Sequence, residues 1–326
     1  MPNTSLARTP RLGINLLRGG DASAETILFI HGNLSSSVFW EGTIEAFESE
    51  YHCIAPDLRG FGATEPLNID ARLGLGDMAE DMLGLMDHLE VPNCHVIGHS
   101  MGGGVAMKMM LAEPARLRSV TLVNTISPYG YSGSIDEHGT LAHQDGSPGG
   151  AGYVAAALVS RLAGGDRSKA SQFSPRNVLE QLYFKPPFVP DHIDALLDAM
   201  LSTHIGDDWY PGDAEPSCCG HGLAPGRRGI VNAMSRRYFN ASGIVTIDPK
   251  PPVLWIRGAE DAIVCDEDGD AERAPQPMIR QTRSVLQAYR REGGRVCEHL
   301  IKDAGHTPFI EKPVEFNAAL RRFLQP

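Results

Sequence analysis

The sequence predicts an α/β protein: a mostly parallel, doubly wound sheet carrying an inserted, mainly helical segment. Three observations predict it. Short apolar runs rich in β-formers alternate with helical stripes through the first 126 residues; that alternation stops and resumes near residue 250; and one strand runs into a glycine-flanked sharp turn and then a helix.

Thr26–Ile30, His52–Ala55, Cys94–Ile97 and Ser119–Val123 read as buried parallel strands, because each is a short, mainly apolar run rich in β-formers. Between the second and third, Met78, Met82, Leu85 and Leu89 recur at spacings of four, three and four, one stripe of a crossover helix. Gly74, Gly76 and Gly84 weaken that helix without forbidding it. Strands return at Val253–Arg257 and Arg295–Ile301, separated by the helical stripe of Met278, Thr282, Val285 and Tyr289. The chain ends in a helix with Pro313 in its first turn and Phe316, Leu320, Phe323 and Leu324 on one face. Residues 1–126 and 250–326 are therefore assigned to the core. Residues 127–249, with the stripe Ile193, Leu196, Leu197, Met200 and Leu201 among Gly/Pro-rich stretches, are assigned to an inserted cap.

At 326 residues, 42% hydrophobic and 21% charged, the chain has ample material for a buried core. Its 29 Lys and Arg against 40 Asp and Glu give a formal charge of −11, which repels phosphate backbones and anionic lipid surfaces; nucleic acid and membrane are not expected partners. Met1–Gly20 lacks an unbroken apolar leader segment and no apolar run is long enough to span a bilayer, so a cytoplasmic location is expected. The six cysteines lack metal-ligand spacing and are read as reduced thiols, with Cys94 and Cys297 in buried strands and the adjacent Cys218 and Cys219 unplaced. No cofactor and no metal is expected; the partner is a small-molecule substrate, with the oligomeric state left open. The acidic run Asp266–Asp270 is dense in oxygens but lacks the downstream bidentate glutamate of a helix-loop-helix calcium site, so it reads as a solvated loop.

The chemistry centres on Gly98-His99-Ser100-Met101-Gly102. A strand feeding a sharp turn and then a helix exposes the central serine at the carboxyl edge of the sheet, and a phosphate-binding glycine loop would want a lysine that is absent here. Ser100 is the candidate nucleophile. A serine hydroxyl needs a base to take its proton, and among twelve histidines His306 lies in a turn after the last strand, opening on the same edge. His99 is expected to pack or bond locally. Asp261, in Gly258-Ala259-Glu260-Asp261 after the strand Val253–Arg257, is the candidate to orient the imidazole, preferred over Glu260; the preceding strand ends in Asn124 and offers no carboxylate. The amides of Met101 and of Asn33, in the loop after the first long strand, are the candidate oxyanion donors.

With these pieces placed, the sequence resembles the α/β-hydrolase superfamily, in its esterase, haloperoxidase-like and epoxide-hydrolase-like branch. His31-Gly32-Asn33, Asp57-Leu58-Arg59-Gly60-Phe61-Gly62, the turn at Ser100, and Gly305-His306-Thr307-Pro308 with Glu311 and Pro313 match in order over about residues 10–126 and 250–326. The order Ser100, Asp261, His306 is the one this resemblance implies. His31-Gly32-Asn33 also resembles the halide-holding loop of haloalkane dehalogenases, but those enzymes and epoxide hydrolases use an aspartate where Ser100 stands. The resemblance thus implies acyl chemistry on a compact ester, lactone or amide through an acyl-enzyme on Ser100. The alternatives are hydrolytic carbon–carbon cleavage by the same triad, or a non-catalytic ligand-binding protein of this fold.

Overall fold

The computed structural model describes residues 3–266 and 276–325. Its main sheet contains β1 (Asn3–Arg8), β2 (Gly13–Gly19), β3 (Thr26–Ile30), β4 (His52–Pro56), β5 (Cys94–His99), β6 (Leu117–Val123) and two late strands, in the order β1-β2-β4-β3-β5-β6 followed by Val253–Gly258 and Val296–Ile301. From β4 onward the pairing is parallel, whereas β1 and β2 form an antiparallel ribbon on one edge. Every residue of β3, β4 and β5 is buried, which explains why these strands read as mainly apolar runs. No element was expected before Thr26; β1 is mostly exposed and polar, and pairs only along one edge.

Between the core strands run α1 (Glu41–Phe47), α2 (Gly76–His88) and α3 (Met101–Ala112). The path steps from β3 outward to β4 and then back across β3 to β5, so right-handed crossovers put α1 on one face and α2 and α3 on the other. The reversal creates a crevice at the carboxyl ends of β3 and β5, the place where open α/β sheets hold ligands.

From Asn124 to Pro252 the chain leaves the sheet. This stretch holds α4 (Ala156–Ala163), α5 (Pro175–Val178) running into a π-turn at Leu179–Tyr183, α6 (Ile193–Leu201), and α7 (Ile230–Met234). It also carries two small ladders that the helical reading did not anticipate: β7 (Ile205–Gly206) with β8 (Tyr210–Pro211), and β9 (Ala214–Pro216) with β10 (Leu223–Pro225). The sheet then resumes with β11 (Val253–Gly258), α8 (Met278–Arg291), β12 (Val296–Ile301), α9 (Pro308–Glu311) and α10 (Pro313–Leu324).

Met78, Met82 and Leu85 of α2, Met278, Thr282, Val285 and Tyr289 of α8, and Phe316, Leu320, Phe323 and Leu324 of α10 are all buried, as their spacing predicts. Cys297 is a correction: it lies in β12 but is exposed, because β12 is the outer strand of the sheet and only Ile301 on it is buried. Of the acidic run, residues 267–270 lie outside the described residues, while the Asp266 carboxylate accepts from the amides of Ile279 and Arg280 at the start of α8 (2.8 and 3.1 Å).

Candidate active site

Ser100 sits between β5 and α3 with φ 53° and ψ −117°, a left-handed backbone that few side-chain-bearing residues adopt. The turn closes only because its flanks are bare. A Cβ on Gly98 would fall 2.3 Å from the Gly102 carbonyl oxygen, and one on Gly102 would fall 2.3 Å from that of Ile30. Ser100 is pinned by its amide, which donates to the Val123 carbonyl at 2.9 Å, and by its own carbonyl, which accepts from Gly103 and Ile126.

His306 lies in the turn after β12, 2% exposed, with Nδ1 donating to the Asp261 carboxylate at 2.9 and 3.0 Å. That bond places the ring proton on Nδ1 and leaves Nε2 of the neutral imidazole as an acceptor. Asp261 is held in turn by the amides of Ile263 and Val264 (2.8 and 3.0 Å) and by Asn124 Nδ2 (2.6 Å). Glu260, the rejected neighbour, faces the other way: its carboxylate accepts from the Ala304 amide at 3.1 Å and is 42% exposed. The His306 turn is braced by Glu311, whose two oxygens accept from the Gly305 amide (2.9 and 3.0 Å) and whose Oε2 also accepts from the Lys185 amide (2.8 Å). Burial pushes the Glu311 carboxyl above its ordinary range.

Asn124 is the residue that sequence reasoning passed over. Its Nδ2 donates to Asp261, and to the Gly305 carbonyl at 3.3 Å, while its Oδ1 accepts from the Gly258 amide at 3.1 Å. One side chain at the end of β6 therefore ties the Asp261 and His306 turns together. The only signal was its position at a carboxyl strand end, and it was set aside for lacking a charge.

On the other side of Ser100, the loop after β3 is organised by His31. Its Nε2 accepts from the Leu58 amide at 2.9 Å, so the ring proton is on Nδ1, which donates to the Gly32 carbonyl at 2.7 Å. Complete burial keeps the ring below the ordinary histidine value, hence neutral. Gly32 lies against the turn: a Cβ there would stand 3.1 Å from Ser100 Cβ. Asn33 follows, its carbonyl accepting from the Tyr183 hydroxyl at 2.8 Å. Met101 is fully buried at the start of α3. His99 reaches farther than the local role expected of it: Nε2 donates to the His306 carbonyl at 2.9 Å.

Ser100, His306, Asn33 and Ile263 of the core line a cavity of about 840 Å³ whose remaining walls come largely from the stretch between β6 and β11. Of the aromatics in that stretch, Tyr131, Phe173, Tyr183 and Tyr210 line the cavity, whereas Phe184 and Phe239 are packed in the core. Among the described residues that line it there is no Asp, Glu, Lys or Arg, and the polar side chains besides the site itself are Gln172, Asn177, Gln181 and the three tyrosines Tyr131, Tyr183 and Tyr210.

A family model described as alpha/beta hydrolase fold matches residues 25–149. The eight-stranded sheet, with Ser100, Asp261 and His306 each directly after a strand at its carboxyl edge, completes the pattern over the rest of the chain. The chain has the α/β-hydrolase fold. Similar proteins include the one named "Putative carbamate hydrolase RutD" of Variovorax paradoxus, 38% identical over 109 residues that cover 33% of this chain and 41% of that one. The match thus spans about two fifths of that relative's length. The 3-oxoadipate enol-lactonase 2 of Acinetobacter baylyi is 22% identical over 96% of this chain and 94% of that one. Among solved structures, a thermophilic esterase from Thermogutta terrifontis superposes with a TM-score of 0.63 at 21% identity, covering 99% of this chain and 98% of that one. Among the described residues no helix is long and apolar enough to cross a membrane.

Proposed function

We propose that this chain is a serine hydrolase that cleaves a compact, uncharged acyl substrate through an acyl-enzyme on Ser100. The observation that carries the reading is the buried His306–Asp261 pair beside a strained serine at the floor of one cavity. Ser100 Oγ attacks the scissile carbonyl while His306 Nε2 takes its proton, and Asp261 steadies the imidazolium that results. The backbone amides of Asn33 and Met101 receive the oxyanion, each donor being worth about 3 kcal/mol in reactions of this type. The His306 proton passes to the leaving group, and water brought in by the same base releases the acid and restores Ser100.

The substrate class is argued from the walls. The stretch 127–249 acts as a cap that closes the carboxyl edge of the sheet, excludes water and presents apolar surface to the acyl or leaving group. A substrate carboxylate would meet no Lys or Arg among the described lining residues. Neutral esters, lactones and carbamates or amides are therefore favoured over acid-bearing ones. The relatives named carbamate hydrolase and enol-lactonase support hydrolysis at such a carbonyl. The six cysteines, read from the sequence as reduced thiols, accord with a cytoplasmic, reducing setting.

The test is labelling with a fluorophosphonate followed by turnover of a panel of neutral esters, lactones and carbamates. Labelling that disappears in Ser100→Ala, with turnover in at least one class, is expected. A folded chain that neither labels nor turns over any member is a ligand-binding protein instead. Cleavage confined to carbon–carbon bonds would recast the substrate but keep the triad.

A further inference from the structure

Away from the cavity floor, two loops bring together residue types that sequence spacing keeps more than seventy positions apart. Asp145 is buried in the loop that precedes Gly150, and Cys218 and Cys219 form the tip of the β9–β10 hairpin. One ligand atom from each of the three lies within 4.8 Å of the others. The two sulfurs are 3.9 Å apart, and Cys218 Sγ is 3.4 Å from Asp145 Oδ2. A tetrahedral zinc ion with ordinary bond lengths spaces two thiolate sulfurs by about 3.8 Å and a sulfur and an oxygen by about 3.5 Å. Two of the three separations are therefore close to those such an ion imposes, and the third, Cys219 sulfur to the carboxylate, lies within 4.8 Å.

Two imidazoles come from the same two loops. His143, two residues before Asp145, stacks on His221, two residues after Cys219, with ring centroids 3.7 Å apart and planes 9° from parallel. We propose that Asp145, Cys218 and Cys219 form a three-ligand binding site for a thiophilic divalent cation, zinc(II) on the chemistry of its donors, the fourth position being filled by solvent or by His143 or His221 after a shift of its side chain.

The carboxylate is already held in place. Asp145 Oδ1 accepts from the Ser147 amide and hydroxyl (3.0 and 2.5 Å), and Oδ2 accepts from the Ser217 hydroxyl (2.8 Å). The thiols are exposed, so an ion reaches them from solvent. Binding replaces the Cys218 S–H donation to Asp145 with two thiolate–metal bonds and releases both thiol protons, with no change of oxidation state. The ion would fasten the hairpin to the loop beneath the cavity wall. β10 packs on the turn Gly150–Tyr153, so closely that a Cβ on Gly152 would lie 2.5 Å from Leu223 Cβ, and Val154 and Ala155 beyond that turn line the cavity. The inferred role is structural, a clamp on one wall.

The experiment uses the full chain, reduced and stripped with a chelator, then titrated with Co²⁺ and with Zn²⁺. One equivalent of Co²⁺ should give sulfur-to-metal charge-transfer absorption that Zn²⁺ displaces, and Zn²⁺ should raise the thermal midpoint. The double variant Cys218→Ser/Cys219→Ser should lose the absorption, and Asp145→Asn should bind about 10- to 100-fold more weakly. If the double variant does not fold by circular dichroism, protection of the wild-type thiols from iodoacetamide by Zn²⁺ takes its place. The proposal is overturned if Co²⁺ gives no thiolate absorption, if the double variant binds as tightly as the wild type, if Zn²⁺ leaves alkylation unchanged, or if the two neighbours are found joined as a disulfide in the reduced preparation.

Discussion

Asn124 and Asp261 are 137 positions apart in sequence, yet their side chains meet at 2.6 Å, the amide donating to the carboxylate oxygen Oδ2, which His306 Nδ1 also reaches. Asn124→Ala removes that donor and the link to the Gly305 carbonyl, leaving a buried acceptor without its partner. A cost of about 1–3 kcal/mol is expected, read as a fall in kcat of about 10- to 100-fold with KM little changed. Asn124→Asp should be worse, since it sets a second carboxylate against the first. Unchanged kcat in Asn124→Ala would show that Asp261 needs no such support.

Ser100→Ala and His306→Ala should each abolish turnover while thermal melting stays near that of the parent, because both residues lie in turns rather than strands or helices. Asp261→Asn should lower kcat by about 10⁴-fold, and Glu260→Gln by little. The reverse ranking of the last pair would reassign the acid.

Much of this was legible beforehand because the relevant signals are local. β3, β4 and β5 are buried on both faces, so their runs are mainly apolar, and the turn at Ser100 is marked by glycines whose absent side chains it requires. β1 and β2 were not legible, since an edge ribbon exposed on one side carries Ser, Thr, Asn and Arg instead of a continuous apolar signature. Cys297 misled for a related reason: an outer strand is left largely exposed, with only Ile301 of this one buried, and composition does not say which strand is outermost. Asn124 and the Asp145–Cys218–Cys219 cluster are matters of long-range contact, which no spacing along the chain encodes.

The lack of a charged side chain among the described lining residues predicts selectivity within one leaving group. 4-Nitrophenyl butyrate should be turned over with kcat/KM at least about tenfold above the 4-nitrophenyl hemisuccinate, whose carboxylate must be desolvated without a countercharge, a difference of about 1.4 kcal/mol or more. Equal rates would mean that the acyl chain leaves the cavity and stays in water.

Stability should fall on mild acidification. His31 and His99 are completely buried, and that burial holds both below the ordinary value of 6.5, His99 well below it with the His306 ring as a further cause. As pH drops below 6.5 the unfolded chain takes up these protons and the folded one does not, so stability is lost until the folded-state values are reached. The slope is up to about 1.4 kcal/mol per pH unit for each ring. Urea midpoints measured from about pH 7.5 to about pH 5.5 check it, and a flat series would mean that both rings protonate freely in the fold.

Tyr183 sits where the π-turn ends, and it touches both halves of the proposed chemistry. Its hydroxyl holds the Asn33 carbonyl at 2.8 Å, and its own carbonyl accepts from Thr307, the neighbour of His306, through amide and hydroxyl at 3.1 and 2.8 Å. A single residue of the intervening stretch therefore acts as a strut that sets the gap between the loop offering amides to the anion and the turn carrying the base. A different roof grafted onto this sheet could change what the chamber admits, but only one that rebuilds the strut would keep that gap.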